Sequence, residues 1–179
     1  MSERPIIDLH MHTTVSDGTD TPHAILAKVK AAGIAIFSIT DHDAIKSSTI
    51  LPGLLREGDP RFLPGAEFSC KDEEGKYHIL GYGYAPETEG IQGVVELGHG
   101  YRMKKLGIRL EKLKTDYGII FPEEEVAGLY AMDNPGKPHL GNLMAKYGFA
   151  KSKDEAIREC LNHIHTKSEY VRPEEAIRG

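Results

Sequence analysis

Short apolar stretches alternate with polar turns and one capped helix through the first half of the chain. The pattern predicts a first strand that begins at Ile6 and a helix that begins after Thr21, its N-cap, and stops at Gly33. A near-continuous apolar run over residues 34–39 predicts a strand buried on both faces of a parallel sheet. Residues 48–56 form a weak helical stretch, and further strands are expected around residues 62–67 and 77–84.

Beyond Pro86 helical spacing dominates and no strand pattern is evident. A basic amphipathic helix is predicted over residues 99–117, with further helices beginning near Pro122, Pro138 and Ser152. The layout indicates an α/β fold with an incomplete βα core over residues 1–88, a helical cap over 89–170, and a return to the core at 171–179.

Composition limits the partners of this chain. At 179 residues it suits one core of ordinary size, and a net charge of -5 with 7% aromatic residues gives no footprint for bulk nucleic-acid binding. A small or terminal phosphate group stays possible as a substrate. Two cysteines indicate no disulfide framework, and the chain has no signal-like or membrane-length apolar run, so we expect a cytoplasmic protein with no membrane partner.

Two histidines near the N-terminus point to a metal site. His10 and His12 alternate with apolar Leu9 and Met11, and in a strand this alternation puts both imidazoles on one face. Asp17 follows in the next turn. Taken alone, Asp17 before a glycine is also typical of an Asx turn, which needs no metal.

Three later residues repeat the theme. His42 follows the second strand, Glu67 ends the next apolar run, and His78 lies on the fourth strand. In βα barrels the carboxyl ends of successive strands converge on one face, where His, Asp and Glu suit Zn, Mn or Fe. The alternative is that His42 lies at a helix cap, Glu67 is a solvated strand end and His78 is a half-buried strand histidine. No thiolate joins the set, which argues against a cysteine-rich structural zinc site.

In order, these segments resemble the motifs of the PHP (polymerase and histidinol phosphatase) family of metal-dependent phosphoesterases. The resemblance rests on Asp8-Leu9-His10-Met11-His12-Thr13, Ser16-Asp17-Gly18, Thr40-Asp41-His42-Asp43, Pro64-Gly65-Ala66-Glu67 and His78-Ile79-Leu80-Gly81-Tyr82. It continues through Lys137-Pro138-His139-Leu140, which is similar to a Gly-Arg-Pro-His segment of the stand-alone members.

The resemblance implies a partial distorted (β/α)7 barrel with an inserted helical cap and two or three divalent metal ions (Mn, Fe or Zn). By the family pattern His10 and His12 would bind one ion, and Glu67 would bridge it to a second, helped by His78. Asp17 and His42 would serve a third. Three carboxylates would then orient the imidazole rings, namely Asp8, Asp41 and Asp43.

The later family motifs, His-Pro and Ser-Asp-x-His, do not occur in this sequence. We therefore expect each metal to lack part of its ligand set, and the barrel to have an exposed sheet edge through which the chain could self-associate. His163 and His165 lie in a helical, lysine-rich stretch and are expected to be surface residues rather than replacement ligands.

The implied function is hydrolysis of a phosphate monoester or diester, on a nucleotide or an oligonucleotide end, by a metal-activated hydroxide. No catalytic residue is predicted beyond the metal ligands. Lys137, His139 and Arg102 are the predicted substrate-binding residues, although the first could simply begin a helix and the last could belong to a solvated basic face. Two alternatives stay open: a metal-binding but inactive fragment or a subunit completed by a partner, and an amidohydrolase-type metal hydrolase.

Overall fold

The structure is a computed structural model that describes residues 4–167 and 169–178. Strands are concentrated in its first half and helices in its second. The strands are β1 Ile6–Asp8, β2 Ile34–Phe37, β3 Arg61–Phe62, β4 Gly65–Lys71 and β5 Lys76–Tyr82. The helices are α1 Pro22–Ala31, α2 Lys46–Ile50, α3 Glu89–Tyr117, α4 Glu123–Tyr130, α5 Lys137–Lys146, α6 Lys153–Ala156 and α7 Pro173–Arg178.

The chain divides into two compact units. The first holds the chain up to Gly98 together with the chain from Tyr170 onward, and the second runs from His99 to Glu169. These divisions fall ten residues after and one residue before the boundaries expected from sequence, at 88/89 and 170/171. The predicted division into core, cap and return segment stays a prediction.

The first unit contains two small sheets. β1, β2 and β3 form a parallel sheet in that order, and β4 pairs with β5 as an antiparallel hairpin. The fold is therefore mixed α/β, as predicted, while the partial seven-stranded barrel stays a prediction.

The segment that follows β2 connects these sheets. On one side the N–H groups of Ser38 and Thr40 donate to the carbonyls of Asp8 and Met11, at 2.9 and 2.8 Å. On the other side His42 forms an isolated parallel bridge with Glu67 of β4. Segments distant in the chain thus lie side by side, and each carries a predicted metal ligand.

Local sequence signals explain α1. The hydroxyl of Thr21 accepts a hydrogen bond from the N–H of Ala24, Pro22 is the first helical residue, and Gly33 follows with a φ of 65°. The predicted N-cap and stop are both confirmed. The expectation that the next strand is buried on both faces is wrong in part, because Ala35 of β2 is exposed while Phe37 is buried.

Helix α3 begins at Glu89, ten residues before the predicted start at His99. Its first turns are rich in glycine, which disfavours helix by about 1 kcal/mol per residue relative to alanine. Ile91 and Val94 are nevertheless buried, and their i, i+3 spacing gives this part of the helix an apolar contact face. Tertiary burial therefore extends the helix beyond what local propensity indicates.

The second unit is helical, as predicted. Its core consists of residues such as Leu106, Leu113, Leu129, Leu140 and Leu161, and its described residues form helices and turns without a strand. His163 and His165 are exposed, which confirms them as surface residues. None of the helices in the described part of the chain combines the length and the apolar character needed to span a bilayer.

Candidate metal centre

His10 and His12 lie just beyond β1 and not within it. The strand ends at Asp8, whose Oδ1 accepts a hydrogen bond from the backbone N–H of His10 at 3.2 Å. The predicted extension of the strand through the two histidines is therefore wrong. Their imidazole rings still lie together, with centroids 5.2 Å apart, as the alternation of residues indicates.

Glu67 is the central residue of the site. It is the third residue of β4 and not the last residue of a strand, and it is only 4% exposed. Its Oε2 lies 3.0 Å from Nε2 of His10 and 3.1 Å from Nε2 of His12. Its Oε1 lies 2.6 Å from Nδ1 of His78 on the neighbouring strand β5. Nδ1 of His42 lies 3.6 Å from Oε2, so one buried carboxylate contacts imidazoles from three segments of the chain.

Asp17 and His42 extend the cluster on its other side. Nε2 of His42 lies 4.0 Å from Oδ2 of Asp17, and Nδ1 of His12 lies 3.7 Å from Oδ1 of the same carboxylate. The ring of His42 is 4.7 Å from that of His12 and 4.8 Å from that of His78. The ring of His42 is therefore in contact with two other imidazoles of the cluster.

The structure brings all six predicted metal ligands together. They form three overlapping groups, and within each group one ligand atom per residue lies within 4.8 Å of the others. We call them the first group (His10, His12, Glu67), the second group (His12, Asp17, His42) and the third group (His42, Glu67, His78). We refer to the six residues together as the six-residue cluster.

The electrostatics of Glu67 favour the ionised form. Burial raises the pKa of its carboxyl, but the hydrogen bond with His10 and the charges of His42 and His78 outweigh that effect. The pKa of Glu67 consequently lies below its usual value. For Tyr82, burial and the Glu67 carboxylate raise the pKa of the phenol, whose hydroxyl donates to the Leu9 carbonyl at 2.9 Å.

The donor set fits a divalent ion. The cluster offers imidazole nitrogens and carboxylate oxygens, which suit Zn, Mn or Fe. Nδ1 of His12 is buried and, within the described chain, has no hydrogen-bond partner. A buried nitrogen without a partner is costly in a folded protein, and coordination of a cation would satisfy it.

Two glycines in the family-like motifs allow close backbone approach. A Cβ on Gly18 would lie 2.4 Å from the carbonyl oxygen of His12, and one on Gly65 would lie 2.2 Å from the hydroxyl oxygen of Ser38. A side chain at Gly18 would displace the backbone of His12, and one at Gly65 would collide with the side chains of Ser38 and Thr40 in the segment that leads to His42. These glycines therefore belong to the geometry of the site.

The carboxylates expected to orient imidazoles have different contacts. Asp8 binds the backbone of His10, and Oδ1 of Asp43 accepts from the N–H of Ser69 at 2.7 Å. The prediction for Asp41 is wrong, because all its side-chain hydrogen bonds within the described chain come from a backbone N–H and from hydroxyl groups. Sequence reasoning missed the residues that supply them: Thr13, Ser16 and Ser47. Thr13 and Ser16 had a signal, since the first ends the Asp8–Thr13 motif and the second opens the Ser-Asp-Gly motif, whereas Ser47 had none.

The three predicted substrate-binding residues belong to the second unit. Nζ of Lys137 donates to Oδ1 of Asn162 at 2.7 Å, and Nδ1 of His139 accepts from the N–H of Gly136 at 3.0 Å at the start of α5. Arg102 Nη1 would lie 3.8 Å from a Cβ on Gly136. All three therefore lie near the N-terminus of α5.

The model of the PHP domain family matches residues 8–171. This chain belongs to the PHP domain family. The match begins at the first metal motif and runs through both units, so it covers the six-residue cluster and the predicted substrate-binding residues alike.

Curated PHP relatives are named as enzymes that act on phosphate esters. The chain is 38% identical over 177 residues to the 5'-3' exoribonuclease Rnm of Escherichia coli, covering 94% of this chain and 57% of that protein. It is 33% identical over 110 residues to the 3',5'-nucleoside bisphosphate phosphatase of Chromobacterium violaceum, covering 59% of this chain and 38% of that one. The chain thus spans between about two fifths and three fifths of the length of these relatives.

A solved structure supports the fold. The crystal structure of a candidate metal-dependent phosphoesterase from Bifidobacterium adolescentis superimposes with a TM-score of 0.83 at 22% identity, covering 98% of this chain and 63% of that one. At this identity the likeness shows a shared fold alone.

Proposed function

We propose that this chain is a metal-dependent phosphoesterase that hydrolyses a nucleotide phosphate or the phosphate at an oligonucleotide end. One observation carries the proposal: six imidazole and carboxylate side chains from separate segments form three overlapping groups, two of which share Glu67. Membership of the PHP domain family supports it, since the relatives compared above are named as phosphatase and nuclease.

Each part of the cluster has a proposed role. The first, second and third groups would hold two or three divalent ions, and Glu67 would serve both the first and the third because it belongs to both. Bound divalent ions supply Lewis acidity toward phosphate oxygens and toward an attacking water. The ionised Glu67 carboxylate keeps negative charge at the centre of four imidazoles, which offsets the positive charge that the site must accept.

The relatives favour a nucleotide substrate. The exoribonuclease aligns with 94% of this chain and the bisphosphate phosphatase with 59%, so we place a 5'-terminal oligoribonucleotide first and a nucleoside bisphosphate second. The net charge of -5 supports recognition of a chain end rather than of an extended nucleic-acid surface.

Lys137, His139 and Arg102 are proposed to bind the substrate phosphates. Arg102 offers a planar fork of donors that matches phosphate, whereas Lys137 offers a point charge. Replacement of a residue that binds substrate without reacting is expected to raise KM more than it lowers kcat. Arg102→Lys keeps the charge and removes the fork, so a rise in KM for this variant would indicate bidentate binding.

The substrate class can be tested with a panel of phosphate esters. We expect the protein, supplied with Mn²⁺, to release product from a 5'-phosphorylated oligoribonucleotide, a nucleoside 3',5'-bisphosphate or a nucleoside monophosphate. An aryl phosphate and an aryl amide of the same leaving group complete the panel. Hydrolysis of the amide without any phosphate ester would favour amidohydrolase chemistry and contradict the proposal, as would inactivity toward every phosphate ester at full metal occupancy.

A further inference from the structure

The carboxylate of Asp41 is buried and fully used as a hydrogen-bond acceptor. Oδ1 accepts from the backbone N–H of Thr13 at 2.7 Å and from the hydroxyl of Ser16 at 2.8 Å. Oδ2 accepts from the hydroxyl of Thr13 at 2.8 Å and from that of Ser47. An ionised carboxylate has about four lone-pair sites, so Asp41 has no acceptor capacity left for an imidazole or a cation.

All partners of this carboxylate are as buried as Asp41 itself, which is 1% exposed. Thr13, Ser16 and Ser47 are each no more than 2% exposed. Hydrogen bonds to a charged group in such surroundings are stronger than those between neutral groups, and leaving one unmade is costly. The carboxylate therefore fixes the position of every group that donates to it.

The network lies directly beside one set of predicted ligands. Thr13 follows His12, Ser16 precedes Asp17, and Asp41 precedes His42 in the chain. His12, Asp17 and His42 are the three residues of the second group. His12 and Asp17 are thus the immediate chain neighbours of residues held by the Asp41 carboxylate, and His42 is the neighbour of Asp41 itself.

The loop from Thr13 to Gly18 is closed locally, but its placement depends on Asp41. The carbonyl of Thr13 accepts from the N–H groups of Ser16 and Gly18 at 3.1 and 2.9 Å, which folds the loop onto itself. The carbonyl of Asp41 meanwhile accepts from the N–H of Glu67 at 3.2 Å. The side chain of Asp41 therefore holds the loop, while its main chain is hydrogen-bonded to the strand that carries Glu67.

We propose that Asp41 is the positioning residue of the second group: it holds His12 and Asp17 in register with His42 and does not orient an imidazole. This inference rests on the proposed metal site. A purely structural role would stabilise the fold without favouring one group of ligands over another. If Asp41 positions the ligands, removing a hydrogen bond next to a predicted ligand should lower metal affinity at the second group more than removing one elsewhere.

Two serines provide a matched test. Ser16→Ala and Ser47→Ala each remove one hydroxyl donor from the same carboxylate, and both positions are buried to the same extent. Only Ser16 is the chain neighbour of a predicted ligand, and its hydroxyl also lies 3.5 Å from Oδ1 of that ligand, Asp17. The hydroxyl of Ser47 also lies 3.1 Å from that of Thr13. The probe is Co²⁺, titrated into the metal-free protein and followed by visible absorption, which reports on coordination. Thermal unfolding of both variants shows whether the fold is kept.

We expect Ser16→Ala to weaken one Co²⁺ binding event by about 10-fold, as loss of an outer hydrogen-bond partner of a metal site commonly does, and to change its absorption band. Ser47→Ala should lower the unfolding temperature by about as much as Ser16→Ala does. Its affinity for Co²⁺ should change clearly less. Thr13→Ser keeps both donors to Asp41 and should bind Co²⁺ as the unaltered protein does.

Equal Co²⁺ affinities in the two alanine variants, with binding intact in the unaltered protein, would overturn the positioning role alone. Failure of the unaltered protein to bind Co²⁺ at all would overturn the proposed metal site together with this inference. The two failures are therefore distinguishable in one titration series.

Discussion

Replacing Glu67 by glutamine removes the only carboxylate from the first and third groups. Glu67 belongs to both, whereas the second group has its own carboxylate, Asp17. Glutamine keeps the size of the side chain and one carbonyl oxygen, but it removes the charge that contacts four imidazoles. The structure therefore predicts a selective loss: two groups lose their anionic ligand and one keeps it.

The expected loss of metal affinity can be estimated from the smaller effect of removing an outer hydrogen-bond partner of a metal ligand. Loss of an outer partner costs about 10–100-fold in metal affinity, so loss of a direct anionic ligand should reach at least the upper end, about 100-fold or 2.7 kcal/mol. We expect Glu67→Gln to weaken divalent-ion binding by this amount at the first and third groups and to leave binding at the second group unchanged. Asp17→Asn should do the reverse, weakening the second group alone.

Isothermal titration with Mn²⁺, together with metal analysis after desalting, measures both the number and the affinity of the sites. Glu57→Gln is the matched control, since it makes the same chemical change at an exposed position. Unchanged Mn²⁺ binding in Glu67→Gln would refute the central position of Glu67. Equal loss of every ion in both cluster variants would refute the overlapping groups and indicate one indivisible site.

Three further predictions concern stability and reactivity. Gly18→Ala should destabilise the fold by roughly 1–3 kcal/mol in thermal unfolding, because its Cβ would meet the carbonyl of His12, whereas Gly53→Ala has nothing within 4 Å; equal unfolding temperatures would contradict this. Burial, followed by two nearby carboxylates, raises the pKa of the Cys70 thiol to about 11, so iodoacetamide at pH 8 should leave it unmodified in the folded protein and alkylate it in guanidinium, as mass spectrometry would show. The lowered pKa of Glu67 stabilises the fold above its usual value of 4.5, and this contribution is lost as pH falls through the lower folded value. Between pH 6 and pH 3, the free energy of unfolding of the metal-free protein, measured in urea, should therefore fall more in the unaltered chain than in Glu67→Gln. An equal fall in both proteins would contradict a lowered pKa of Glu67.

Residue types and short spacings were enough to predict which side chains come together in the six-residue cluster. His10 and His12 are two residues apart, and their rings lie together even though β1 ends at Asp8. The cap of α1 was equally predictable, because Thr21 and Gly33 act through contacts within a few residues. Such features depend on the local chain alone.

Features that depend on the register of distant segments were not predictable from one sequence. The place of Glu67 inside β4 follows from its pairing with β5 and from the bridge to His42. The role of Asp41 depends on hydrogen bonds to residues 25 and 28 positions earlier in the chain. The Thr-Asp-His pattern indicates a carboxylate beside a ligand, but nothing in it shows which segment that carboxylate holds.

We have proposed that the six-residue cluster holds divalent ions that the chain uses to hydrolyse a phosphate ester. His12 tests it most directly, since it belongs to both the first and the second group. The measurement is product release from a 5'-phosphorylated oligoribonucleotide by chelator-treated protein, before and after addition of Mn²⁺, for the unaltered chain and for His12→Ala. We predict no release without metal, restored release in the unaltered chain, and none in His12→Ala although its circular dichroism is unchanged. Release that survives the chelator, or full release by His12→Ala, would contradict the account.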